Sequence, residues 1–226
     1  MKDRISIIIP MYNSSKTIAR CLNAIYNSTK KPYEVIVIDD FSKDNSVDIA
    51  KKFPCKIIKL KKNKGPAFAR NKGAEKTKGN ILFFLDSDVI LENNTTKLIE
   101  NLFKNKETNA VVGIYSKEPA NKGLFNWYMA MQKFSNWTKS KQRTYSSFQT
   151  RLGAIRKTIF NKIGGFNIEY RGADTEDYEF GYKLIKNHKV ILDTRLQGKH
   201  YFPKFKSCVK NYFKRGFHWF RLFLKR

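Results

Sequence analysis

The chain has 226 residues, 41% of them apolar, enough to fill the core of one domain. It carries 45 Lys+Arg against 19 Asp+Glu, a formal net charge of +26, so anionic partners are expected: nucleic acid, an acidic lipid surface or phosphorylated small molecules. Cys21, Cys55 and Cys208 form no CxxC pair, which fits a reducing compartment; no apolar run is long enough to span a membrane, and the run between Arg4 and Pro10 is too short for a signal-peptide core.

Taken in order, ISIIIP (5–10) is a continuous apolar run of strand length. Residues 14–28 place Ile18, Cys21, Leu22 and Ile25 at helical spacing. YEVIVID (33–39) is a second strand, 46–53 a short helix, and CKIIKL (55–60) a third strand. GPAFARNKGAEKT (65–77) is a helix entered through Gly-Pro. NILFFLD (80–86) is a fourth strand, 93–105 a helix, and 110–115 a fifth strand. Residues 119–150 are aromatic and basic without a clear period. A short strand, a helix and a Gly-Gly turn follow over 150–166, then a helix with an acidic start over 172–187 and one or two strands over 189–202.

Strands that are apolar throughout and alternate with helices predict an α/β fold with a mainly parallel sheet covered on both faces. Ligands bind such sheets outside the carboxyl ends of the strands. Those ends read PMYN, DDFSKD and DSD, each polar or acidic directly after an apolar run. The pair Asp86 and Asp88, spaced i, i+2, is suited to a divalent cation with hard oxygen ligands, although an aspartate in that place also starts helices.

SIIIPMYN, VIVIDDFSKDNS, NKGPAFARN, FLDSDV, GGF and TEDYEFGYKL occur in this order over residues 4–200, and together they resemble the motif set of the family 2 glycosyltransferases of the GT-A fold. The resemblance implies a GT-A domain over 1–204, with a nucleotide-binding half (1–115) and a smaller acceptor-binding half (116–204). It implies that Pro10, Tyr12, Asp40, Lys64, Arg70 and Asp86 meet a nucleotide-sugar donor, a UDP- or GDP-sugar, and that Asp39 fixes its loop. Asp88 would hold Mn2+ or Mg2+, with His200 as a further ligand. Asp177 would be the base of an inverting transfer and Glu176 its support, while helix capping is the competing reading for both. Arg151, Arg156, Lys157 and Arg171 are candidate cations on the acceptor side. Asp44 is expected to cap a helix.

The last stretch, 205–226, places aromatic and basic residues on opposite sides of a helix, as a segment lying on an anionic membrane would. That suggests a lipid-linked acceptor and a cytoplasmic enzyme held at the inner face of the membrane. A lipid phosphate is the alternative acceptor, and the resemblance leaves open a continuation into transmembrane helices beyond Arg226. The charge and the aromatics also raise a nucleic-acid-binding module, but no recognition motif for one is present and the carboxylate clusters would repel a phosphate backbone, so nucleic acid is not expected as a partner.

Overall fold

The computed structural model describes residues 3–135, 142–170, 175–211, 213 and 216. Among the described residues, nine strands form one sheet in the order β3-β2-β1-β4-β8-β6-β9-β5, with β7 paired to β9. The first four strands, β1 (Ile5–Met11), β2 (Glu34–Asp39), β3 (Lys56–Lys59) and β4 (Ile81–Leu85), are parallel to one another. Their connections are α1 (Ile18–Tyr26), α2 (Ser46–Ala50) and α3 (Pro66–Lys76).

The remaining strands change the pattern. The short β5 (Val89–Leu91), directly after the DSD turn, is not foreseen from the sequence. After α4 (Thr95–Phe103), β6 (Ala110–Tyr115) runs parallel to the first four, but β8 (Leu152–Arg156) enters between β4 and β6 in the opposite direction. The expected mainly parallel sheet is thus parallel in its first four strands and mixed beyond them. Residues 119–150 hold a helix, α5 (Leu124–Ser135), and β7 (Gln142–Tyr145). Two more helices follow, α6 (Lys157–Ile163) and α7 (Glu176–Ile185), and then the long β9 (Val190–His200). β9 pairs with β6 in two registers, separated by an irregularity opposite Val112–Ile114. Its first four residues pair with β7 and its last three with β5.

Alternate side chains of each central strand enter opposite layers. Ile7, Ile9, Phe83 and Leu85 pack with Ile18, Leu22, Ile25, Ile99 and Phe103 on one face. Ile8, Leu82 and Phe84 pack with Ala67, Phe160, Phe180 and Leu184 on the other. The second layer has an aromatic centre. Phe84, two residues before Asp86, has ring centroids 5.1 Å from Phe166 and 6.3 Å from Phe148, and Phe180, three residues after Asp177, lies 4.8 Å from Phe166 and 5.4 Å from Phe148. This packing ties the start of α7 to the end of β4. Gly73 lets α3 lie close on β1, because a Cβ there would meet Ile8 Cγ2 at 2.4 Å.

Candidate active site

The carboxyl ends of β1, β2 and β4 and the starts of α3 and α7 converge. Two non-glycine residues at this edge have left-handed backbone, Asn13 (φ 49°) and Phe41 (φ 70°), a strained state that tends to occur at functional loops. The two loops hold each other. The Asn13 amide donates to Ser42 Oγ at 2.9 Å, and Asn13 Oδ1 accepts from the Lys43 amide at 2.8 Å. Tyr12 beside them is half exposed. Pro10, which has no N–H to give, lies past the last β1–β4 pair, Ile8 with Phe84.

Asp39 accepts from the Ser42 amide at 3.1 Å, the loop-fixing place foreseen for it. Asp40 does similar work on the next loop. Its two oxygens accept from the Lys64 and Gly65 amides at 2.7 and 2.8 Å, and only 3% of it is exposed. Burial raises its pKa, opposed by these two bonds. Both oxygens are therefore taken up by the entry to α3, where Gly65 (φ 87°) precedes Pro66 at the first helical position. Lys64 lays its ammonium 4.1 Å from the Phe68 ring centre. Asp44 accepts from the amides of Ser15 and Ser46. Burial works against its charge, but these hydrogen bonds and those of the serine hydroxyls hold its pKa at about 2.

The three residues of the DSD turn are held from three directions. Arg70, buried on the inner side of α3, donates from Nη2 to Asp86 Oδ1 at 2.7 Å and from Nη1 to Glu176 Oε1 at 2.8 Å. Burial opposes the charge on Arg70, but Asp86 and Glu176 outweigh it and keep its pKa raised. Ser87 shares a 2.8 Å hydrogen bond with Ser14 of the β1 loop. Asp88 lies beside His200 because β5 pairs Val89 with His200, and the Tyr201 amide donates to the Asp88 carbonyl at 3.0 Å.

His200 Nε2 is 3.3 Å from Asp88 Oδ2. Two ligands at adjacent corners of an octahedron, each about 2.1 Å from a cation, would be about 3 Å apart, so this spacing suits a shared ion. The second carboxylate oxygen, Asp88 Oδ1, is buried with no hydrogen-bond partner among the described residues, as a second sign of fit. No cluster of three His, Cys, Asp or Glu ligands forms among the described residues. The pair would hold one edge of an ion whose other positions are left for phosphate oxygens and water. Mn2+ accepts this mixed oxygen and imidazole set more readily than Mg2+.

Asp177 occupies the second position of α7, one residue after the Arg70-bound Glu176. Burial pushes its pKa up to about 7, with Glu176 adding to the rise and Arg70 and Arg151 opposing it. Arg151 places its Cζ 4.6 Å from the Tyr115 ring centre, and Tyr115 also stacks with His200 at 4.4 Å and 27°. The Arg151 Nε is buried without a hydrogen-bond partner among the described residues.

Arg156 and Lys157 do not belong to this site, contrary to the expectation for them. β8 runs antiparallel to β4, so Leu152 faces Leu85 at the cleft while Arg156 faces Ile81 at the opposite edge of the sheet. Five residues of strand separate Arg151 from Arg156 by roughly 16 Å. There Arg156 donates to the carbonyls of Thr108, Phe103 and Asn105, and Lys157 to that of Thr77. Arg171 lies outside the described residues. The sequence reading missed Tyr115. It is the last residue of an apolar strand, and nothing in its local pattern distinguishes it from core.

Residues 6–174 match the family described as Glycosyl transferase family 2. The chain belongs to that family. It is 31% identical over 184 residues to an uncharacterised glycosyltransferase of Haemophilus influenzae, covering 80% of this chain and 62% of that protein. It is 31% identical over 223 residues to the UDP-Glc:alpha-D-GlcNAc-diphosphoundecaprenol beta-1,3-glucosyltransferase WfaP of Escherichia coli, covering 93% of this chain and 81% of that one. Among solved structures, S. aureus TarS 1–349 in complex with UDP-GlcNAc superposes with a TM-score of 0.71 at 21% identity, over 89% of this chain and 59% of TarS 1–349. The mannosyltransferase PcManGT of Pyrobaculum calidifontis, in complex with GDP-Man and Mn2+, gives 0.68 at 19% identity over 91% and 59%. These superpositions establish the GT-A fold. The chain spans about three fifths of the length of the first relative and of both solved chains.

Proposed function

We propose that this family member is a metal-dependent inverting glycosyltransferase that moves a sugar from a UDP- or GDP-sugar to a hydroxyl of a lipid-linked or saccharide acceptor. The single observation that carries the reading is the Arg70 bridge. One buried guanidinium joins Asp86 of the DSD turn to Glu176, and so holds the donor-side carboxylates and Asp177 in one fixed arrangement.

Asp177 takes the proton of the acceptor hydroxyl as that oxygen forms its bond to the anomeric carbon. The bond from that carbon to the diphosphate breaks, and its electron pair leaves with the nucleoside diphosphate. A base acts best with a pKa near the working pH, and burial sets Asp177 at about 7. Glu176 positions the base, and Tyr12, Lys64 and the Asp40-anchored loop line the donor side, next to Pro10. Mn2+ or Mg2+ held by Asp88 and His200 would supply Lewis-acid stabilisation of the departing diphosphate. The complexes of PcManGT with Mn2+ and of TarS with UDP-GlcNAc support the choice of metal and donor class.

The acceptor class rests on WfaP, whose name specifies a diphosphoundecaprenol-linked sugar. It fits polysaccharide, glycolipid or glycoprotein precursor assembly at the cytoplasmic face of the membrane. A second reading, transfer to a lipid phosphate, is favoured by Arg151, whose partnerless Nε could meet an anionic acceptor. In domain terms, 1–115 is the donor-binding half, 116–204 the acceptor-binding half, and 205–226 a basic terminal segment.

The test is a panel of sugar nucleotides with Mn2+ or Mg2+, scored for release of nucleoside diphosphate. Metal-dependent release with at least one donor is expected. The absence of both turnover and binding with every donor would overturn the reading. Asp177→Asn is expected to abolish transfer to a hydroxyl while leaving donor binding intact. Near-normal turnover by a correctly folded Asp177→Asn enzyme would remove Asp177 from its role as base.

A further inference from the structure

We propose that α5 and the helical segment 205–211 form one continuous face that docks on an anionic lipid bilayer. The face begins with an apolar stripe on the solvent side of a helix. On α5, Leu124, Trp127, Tyr128 and Met131 fall at i, i+3, i+4 and i+7, the spacing of a core stripe, yet all four are exposed and Leu124 is 90% so. The helix buries Met129 and Ala130 and packs the half-buried Phe125 and Phe134 against the core, so its outer stripe is not its core contact. Single exposed apolar side chains are ordinary, but a whole helical stripe of them marks an interaction surface. Phe205 and Val209, one turn apart on the terminal segment, are exposed as well, Phe205 by 61%. The two helices meet edge to face, with the Phe125 and Phe205 ring centroids 5.3 Å apart.

Charge selects the partner. Residues 119–135 and 201–211, which carry the two helices, contain five lysines and no Asp or Glu. Lys122, Lys204, Lys206 and Lys210 are exposed around the apolar stripes. An aromatic and aliphatic stripe edged with lysines matches the interfacial region of an anionic membrane, where rings lie among the acyl chains and ammonium groups among the head groups. A second copy of the chain fits poorly, since a two-fold contact through this face would set the same cationic surface against itself.

The face is joined to the candidate site by short, bonded connections. The Ala120 amide, just before α5, donates to the His200 carbonyl at 2.9 Å. Asn121 clamps the chain two residues on, its Nδ2 donating to the Phe202 carbonyl at 2.9 Å and its Oδ1 accepting from the Phe202 amide at 3.0 Å. Both helices therefore hang from the strand end that carries His200. Docking through them brings the cleft to the bilayer surface, where a lipid-linked acceptor would present its sugar. Only this last step rests on the glycosyltransferase reading.

The experiment is flotation of the full chain with phosphatidylcholine vesicles, with and without phosphatidylglycerol, in the absence of any sugar nucleotide. Association is expected with the anionic vesicles only, weakening as salt is raised. Leu124→Ser combined with Trp127→Ser and Tyr128→Ser is expected to weaken it roughly tenfold or more, while donor-dependent release of nucleoside diphosphate persists. A Trp137→Phe, Trp219→Phe variant leaves Trp127 as the sole tryptophan, and its emission should shift to the blue and be quenched by brominated lipid. No association with anionic vesicles, equal association with neutral ones, or association unchanged by the triple substitution would each overturn the proposal. So would an unquenched Trp127, or a dimer that buries it. Because vesicle binding needs no donor, it succeeds or fails independently of sugar transfer.

Discussion

Replacing Arg70 by Met isolates the bridge on which the site is built. Met keeps much of the side-chain volume and removes the charge. Arg70 and Glu176 are each about 4% exposed at the side chain, so Glu176 would keep its carboxylate in the interior without the guanidinium that balances it. Removing one partner of a buried pair costs about 3–5 kcal/mol. Asp86 is 30% exposed at its side chain and can turn to water, so it adds little to this cost. At the urea sensitivity of a domain this size, the unfolding midpoint should fall by roughly 1–2 M. The double variant, Arg70→Met with Glu176→Gln, removes both buried charges and should recover about 2 kcal/mol or more. Arg70 also opposes the rise of the Asp177 pKa, so any activity left in Arg70→Met should have its acid limb moved to higher pH. Urea unfolding of the parent, the single variants Arg70→Met and Glu176→Gln, and the double variant measures the coupling. A loss below about 1 kcal/mol in Arg70→Met, or a double variant no more stable than the single, would refute the structural role given to the bridge.

Three further outcomes are expected. An unfolded aspartate loses its proton near pH ~4, whereas folded Asp177 keeps it to about 7; the fold then holds a proton that the unfolded chain has lost, and stability falls as pH rises through that window. Asp177→Asn should accordingly be more stable than the parent above neutrality and match it near the lower limit, and thermal unfolding across pH tests this; a parallel pH dependence in both proteins would contradict it. Asp88→Asn and His200→Gln should each raise the Mn2+ concentration for half-maximal nucleoside diphosphate release by at least about tenfold, and an unchanged metal titration would remove that residue from the metal pair. Asp40→Asn puts an amide NH2 against one of the two N–H groups that Asp40 now accepts; a cost of about 1–3 kcal/mol is expected, with faster amide exchange at Lys64 and Gly65, and protected amides in the variant would contradict the anchoring role.

Much of the first half of the chain is legible in the sequence because its information is local. A buried parallel strand must be apolar along its whole length, so ISIIIP and ILFFL declare both the strand and the point where it ends. At those ends stand Asp39, Asp40, Asp86 and Asp88, within a few residues of where their loops are needed. The second half is less legible because its strands reverse direction and its partners are distant. Arg151 and Arg156 look equivalent in sequence, and only the antiparallel entry of β8 places one at the cleft and the other at the far edge. α5 escaped notice because its exposed face is apolar, which removes the polar-apolar alternation that reveals a helix.

By itself, the sequence determined the alternating α/β layout, the order of the strand-end motifs and the excess of positive charge, since each depends on residue type and on spacing over a few turns or one strand. Tertiary structure alone decided which charges meet. The Arg70–Glu176 contact spans 106 positions and the Asp88–His200 contact more than a hundred. Neither leaves a periodic trace along the chain, because both are created by helices and strands packing side by side.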